Sequence, residues 1–206
     1  MKRIILTSIF SALIISSFSQ INESISLKIG YPIAVGNNFL NNKNSELKYK
    51  GIADIGIDYS FCKMRNFEFG LLFNASFWNL EISDITLFML TPKLKMDYIL
   101  ILKNIEIKPQ IGFGYSNLRF SQPDYLIGEG NEEMTIKGVN ENYSGLSMSL
   151  ASKILLNRSK KLNWYFEIAY EFTRCEKLNN DIVDNSYNRN IQLFYPRIGV
   201  IWNFKN

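Results

Sequence analysis

Between residues 25 and 204 an alternation of apolar and polar positions with period two recurs along the chain, and no stretch of useful length keeps a helical period. Eight segments carry the pattern. Ile25, Leu27, Ile29, Tyr31, Ile33 and Val35 share a face against Ser26, Lys28, Gly30 and Ala34; Ala53, Ile55, Ile57, Tyr59 and Phe61 oppose Asp54, Gly56, Asp58 and Ser60. Phe67, Phe69, Leu71, Phe73, Ala75 and Phe77 face away from Glu68, Gly70, Asn74 and Ser76, and Phe88, Leu90, Leu94, Met96 and Tyr98 from Thr91, Lys93, Lys95 and Asp97. The second half repeats this with Ile105, Ile107, Ile111, Phe113 and Tyr115, then Leu146, Met148, Leu150 and Ile154, then Trp164, Phe166, Ile168, Tyr170 and Phe172, and last Phe194, Ile198, Val200, Trp202 and Phe204.

The connections alternate in length. Those near 62–66, 101–104 and 157–162 are short, whereas those near 36–50, 80–86, 117–142 and 174–189 are mostly longer and polar. Short turns on one side, long loops on the other and strands of about 10 residues predict an eight-stranded antiparallel up-and-down transmembrane β-barrel.

Alternation alone does not say which face points inward, and a soluble lipocalin-like barrel has an apolar lumen. Side-chain volume decides. The apolar face is crowded with Phe, Trp, Tyr, Ile and Leu, while an eight-stranded lumen holds little beyond its own side chains. The polar face is rich in Gly, Ser and Ala and fits. Its charges are Asp54, Asp58, Glu68, Asp97, Glu106, Glu167 and Glu171 against Lys28, Lys93, Lys95, Lys108, Lys153 and Arg197, seven acids to six bases. Buried charges persist when paired, so these predict a salt-bridged plug rather than a wide channel. Tyr31, Tyr59, Phe77, Trp164 and Trp202 lie toward strand ends and suit interfacial aromatic girdles. Pro32, Pro92, Pro109 and Pro196 fall inside proposed strands, where each removes a ladder donor, so bulges or local kinks are expected around them.

Composition adds a compartment. Lys2 and Arg3, the apolar run from Ile4 to Ile15 and the small-x-small site Ser17-Phe18-Ser19 read as a signal peptide over 1–19, leaving a barrel domain over 20–206. The apolar run is too short and too interrupted for a membrane-spanning helix. Without Lys2 and Arg3 the mature chain keeps 21 bases against 19 acids, too even a balance to attract nucleic acid. Cys62 and Cys175, the two cysteines, fall at opposite barrel ends, on the order of 25 Å apart by strand length, and are expected to be free.

The chain has no histidine, which removes Ser-His and Cys-His nucleophile pairs, histidine metal sites and the usual general base. Asp54 and Asp58 are better read as lumen ion-pair partners than as an acid/base pair, and Gly112-Phe113-Gly114 as a strand with small inward residues than as a phosphate loop. Asp124, Glu129, Glu132, Glu133 and Glu141 form an acidic loop whose spacing matches no defined cation site. Met134-Thr135-Ile136-Lys137 within it is a candidate sheet above the membrane. No catalytic, cofactor-binding or metal-binding residue is assigned, and a non-enzymatic protein is expected.

Leu87-Phe88-Met89-Leu90-Thr91-Pro92-Lys93-Leu94-Lys95, Lys108-Pro109-Gln110-Ile111-Gly112-Phe113-Gly114-Tyr115 and the closing Ile201-Trp202-Asn203-Phe204 resemble the PorT-like outer-membrane barrels of Bacteroidota and, more distantly, OmpX and the OmpA membrane domain. Barrels of this kind often end in a phenylalanine read by the insertion machinery; here Lys205 and Asn206 follow Phe204. The resemblance implies residence in the bacterial outer membrane, in contact with its lipid. Three roles are ranked: surface interaction or adhesion through the loops near 117–142 and 174–189, from the plugged lumen and long polar loops; a narrow conduit for small or hydrophobic solutes, from the barrel alone; and an accessory role in protein secretion, which the resemblance alone implies.

Overall fold

The computed structural model describes residues 23–36, 40, 49–80, 86–121, 124–127, 134–136, 138, 140–156, 161–177 and 190–204. The leader over 1–19 and the short turn at 157–160 lie outside them. The strands are β1 (Ser24–Gly30), β2 (Ile33–Ala34), β3 (Tyr49–Met64), β4 (Phe67–Leu80), β5 (Thr86–Tyr98), β6 (Leu100–Leu102), β7 (Ile105–Ser121), β8 (Tyr125–Ile127), β9 (Met134–Ile136), β10 (Asn140–Leu156), β11 (Leu162–Lys177) and β12 (Asn190–Asn203). Each main strand pairs antiparallel with its neighbours in chain order, and β1 closes the ring against β12 from Ser24↔Asn203 to Gly30↔Arg197. Closure satisfies every edge, as a strand structure in lipid requires. Because β2 continues β1 past Tyr31-Pro32 and β6 continues β5 past Ile99, the ring has eight staves.

The prolines explain those breaks. Pro32 and Pro196 share one: β1 leaves β12 after Gly30↔Arg197, and β2 rejoins it at Phe194↔Ile33. Pro92 pairs with Phe73 on β4, but the β5 ladder to β7 skips from Leu90 to Lys93. Pro109 pairs with Ser152 on β10 and sits where β5 hands over to β6. An antiparallel residue points its N–H at one neighbour only, so Pro92, Pro109 and Pro196 each interrupt one ladder and keep the other, whereas at Pro32 β1 also parts from β3 after Gly30↔Asp54. The register shifts lie elsewhere, on β3 around Ile52 and Phe61.

The short turns at Arg65-Asn66 and Lys103-Asn104 each open on a left-handed residue, with φ of 53° at Arg65 and 50° at Lys103. At the other end the strands outrun the sequence reading. β7 reaches Ser121, β10 begins at Asn140 and β11 runs to Lys177, so much of 117–142 and the start of 174–189 is ladder and not loop. The alternation continues there with its sign reversed: Leu118, Phe120 and Cys175 point inward, while Asn117, Arg119, Asn142, Arg174 and Glu176 point outward. That reversal marks where the strands leave lipid. Below it the outward apolar runs, Phe67 to Phe77 on β4 or Trp164 to Phe172 on β11, span the roughly 9–11 residues of a tilted bilayer crossing. Beyond β7, β8 and β9 form a separate two-stranded sheet from Tyr125↔Ile136 to Ile127↔Met134, the small sheet expected around Met134.

Candidate functional site

A barrel's working parts are its lumen and its two rims, and here the lumen is full. All thirteen charges assigned to the polar face by alternation are buried, none more than 8% exposed, while Leu94, Phe113, Leu146 and Trp164 on the outside are 58–75% exposed. The apolar lumen of a lipocalin-like barrel is thereby excluded. The polarity is inverted, which in water would leave an uncovered apolar belt around the molecule and in a bilayer matches the solvent.

Each charge finds an opposite one through the register. Near the turn end Lys108 bridges Glu68 at 2.8 Å and Glu106 at 3.2 Å. At mid-height Asp58 gathers three lysines: Lys153, its closest partner, Lys28 at 3.2 Å and Lys95 at 4.0 Å. The Asp58 Oδ1 to Lys28 contact is a charge contact without hydrogen-bond alignment. Lys95 also bonds Asp97 at 2.7 Å, and Gln110 donates to the other Asp97 oxygen at 2.7 Å. Glu167 joins this group to the next, accepting from Lys28 at 3.0 Å and from Arg197 Nη1 at 2.9 Å. Arg197 Nε reaches Asp54 at 2.6 Å, and its guanidinium lies 4.0 Å over the Tyr195 ring. Lys93 bonds Glu171 at 2.5 Å, with Ser147 donating to the second oxygen at 3.0 Å. Asp54 and Asp58 thus each serve their own cations, the structural role favoured over an acid/base pair.

Small residues make room for this lattice. Lys28 passes over Gly56, where an added Cβ would meet its side chain at 2.5 Å. Gly112 faces the lumen inside β7, beside Ser149, and belongs to no phosphate loop.

Above the lattice lies a feature that the alternation did not reveal. Ser116 and Thr173 hydrogen-bond at 3.2 Å, and beyond them Trp78, Leu87, Met89, Leu118, Phe120, Ile191, Leu193 and Tyr195 pack into a buried apolar cluster inside the loop-side mouth. Leu40 joins it fully buried, its carbonyl accepting from Tyr49 N at 3.1 Å. The signal was present but hidden, because Phe77-Trp78 and Leu87-Phe88-Met89 are apolar on both faces where the pattern changes sign. Ions at mid-height and hydrocarbon above seal the lumen twice.

The other sequence candidates fall outside this lattice. Cys62 lies beside the β3–β4 turn and Cys175 under the opposite mouth, both free. Of the acidic loop, Asp124 accepts from Gly138 N at 2.5 Å and Glu141 from the Tyr143 hydroxyl at 2.6 Å; Glu129, Glu132 and Glu133 lie outside the described residues. Among the described residues no group of three or more acids or cysteines is placed to hold a metal ion.

No family model matches the sequence, and no curated protein matches it. Solved structures do resemble it. They include a major outer membrane protein of Thermus thermophilus (TM-score 0.52, 13% identity, 88% of this chain and 99% of that one) and OprG of Pseudomonas aeruginosa (0.50, 10%, 91% and 98%). Neisserial surface protein A aligns with a TM-score of 0.50 at 10% identity, over 90% of this chain and 99% of its own. At such identities the likeness is one of fold. With the inverted polarity it makes this chain a small β-barrel of the bacterial outer membrane.

Proposed function

We propose that this chain is a non-enzymatic barrel whose lumen is a structural plug and whose loop-side surface mediates contact with another surface or protein. One observation carries the reading: every lumen charge is buried against an opposite charge, with an apolar cap above, so the chemistry left to the molecule is on its rims. A wall of paired charges also argues against the narrow conduit for small solutes. Export through the leader over 1–19 is part of the proposal, as is kinship with PorT-like barrels; the latter rests on the motifs at 87–95, 108–115 and 201–204 and carries the secretion role with it. Strands that continue past the lipid support loop-side recognition, because β7 runs to Ser121 and β10 starts at Asn140, so the stretch that contains the β8–β9 sheet leaves and rejoins paired strands. Deleting 122–139 and joining Ser121 to Asn140 by a short Gly-Ser turn is expected to leave the barrel folded and to abolish adherence of expressing cells to host or matrix surfaces. Unchanged adherence with the protein at normal surface density would refute the proposal.

A further inference from the structure

In sequence the two sets of connections differ in charge: those at 62–66, 101–104 and 157–162 carry Lys63, Arg65, Lys103, Arg158, Lys160 and Lys161 and no acid, whereas acids outnumber bases over 36–50, 80–86, 117–142 and 174–189 taken together. Arg65, Lys103 and Lys161 are exposed, and none has a charged partner among the described residues. Each borders lipid-facing hydrocarbon: Arg65 is two residues from Phe67, Lys103 lies between Leu102 and Ile105, and Lys161 precedes Leu162 and Trp164. Glu23 lies close by, its carbonyl bonded to Phe204 N beside the Lys161 to Asn203 contact, while Glu68 and Glu106, just inside the mouth, are buried against Lys108.

We infer that the turn-side rim is a docking collar for anionic phospholipid headgroups of the periplasmic leaflet. Cations at the edge of an apolar belt stand at headgroup depth, where they attract lipid phosphates that have no zwitterionic counter-charge, and their aliphatic stems stay against the acyl chains. The three residues lie at ladder ends, so three sectors of the ring present a cation at this rim.

The tryptophans supply the readout. Of three in the chain, Trp164 and Trp202 face lipid at this rim, 63% and 58% exposed, while Trp78 is buried inside the opposite mouth. The folded protein is placed in phosphatidylcholine vesicles in which a fixed minority of the lipid is brominated, either as phosphatidylglycerol or as phosphatidylcholine. Brominated phosphatidylglycerol is expected to quench as though enriched roughly two- to fivefold over its bulk fraction, and the excess is expected to vanish in high salt. The triple variant Arg65→Asn, Lys103→Asn, Lys161→Gln, with asparagine chosen for the two left-handed positions, is expected to quench alike with both lipids. Equal quenching of the unaltered protein by the two lipids would overturn the inference, as would an excess that survives in the folded variant. If the variant fails to fold, the salt series on the unaltered protein decides: an excess that salt does not remove overturns the inference.

Discussion

Replacing Asp58 by alanine is expected to lower the unfolding free energy by about 3–5 kcal/mol, the usual cost of breaking a buried ion pair from one side. Lys28 would keep Glu167 at 3.0 Å and Lys95 would keep Asp97 at 2.7 Å. Lys153, 1% exposed, would keep only Asp97 and Glu167, each at 3.9 Å, and so becomes the uncompensated charge. Removing both members of the pair together as Asp58→Leu, Lys153→Met is expected to recover most of the loss, because desolvation of two charges disappears along with their attraction. Glu106→Gln is the control: Lys108 retains Glu68 at 2.8 Å close to the turn-side mouth, so no buried charge is left without a partner, and a change of about 1 kcal/mol is expected. Urea titrations of the protein in lipid vesicles, followed by tryptophan fluorescence, measure all three. An Asp58→Ala variant as stable as the parent would show that the lattice does not hold the barrel together.

The second large effect concerns the outside. Phe113 is 58% exposed at mid-belt on β7, opposite Leu94 and Met148. On a soluble protein an exposed phenylalanine is replaced by arginine at little cost. In a bilayer Phe113→Arg is expected to cost about 2–4 kcal/mol, whereas Asn117→Arg, four residues along the same face but past the sign reversal, is expected to cost about 0–1 kcal/mol. The same vesicle titration reads both, and equal costs at the two positions would remove the membrane boundary from where the alternation places it.

The architecture was legible because a period of two survives any change of register. Alternation assigned all thirteen lumen charges to the correct face, and the volume of the aromatic residues opposite them settled which face that was. The partners were not legible. Lys28 meets Glu167 and Arg197 meets Asp54 across 139 and 143 residues of sequence, contacts that depend on ring closure and the tilt of the strands. The apolar cap escaped notice for a different reason: above the lipid the inside must exclude water and the outside must meet it, so the two faces trade character. Around Trp78 and Leu87-Phe88-Met89 that exchange looks like a lapse in the pattern. It also made the ends of β7, β10 and β11 read as polar loop. The bulges expected at the prolines were not needed: Pro92, Pro109 and Pro196 each interrupt one ladder only, and past Pro32, which pairs on neither side, β2 resumes the pairing with β12.

A closed barrel with its polar face inside is tested most directly by electrophoresis. Outer-membrane fractions from expressing cells are run in SDS with and without boiling, and the intact mass of the band is determined. The expected result is a band in that fraction whose mobility shifts on boiling, since a closed ring of strands resists SDS until heated, with a chain beginning at Gln20 once the proposed leader over 1–19 is removed. A soluble periplasmic protein with no heat-dependent shift would contradict it and return the apolar face to the inside.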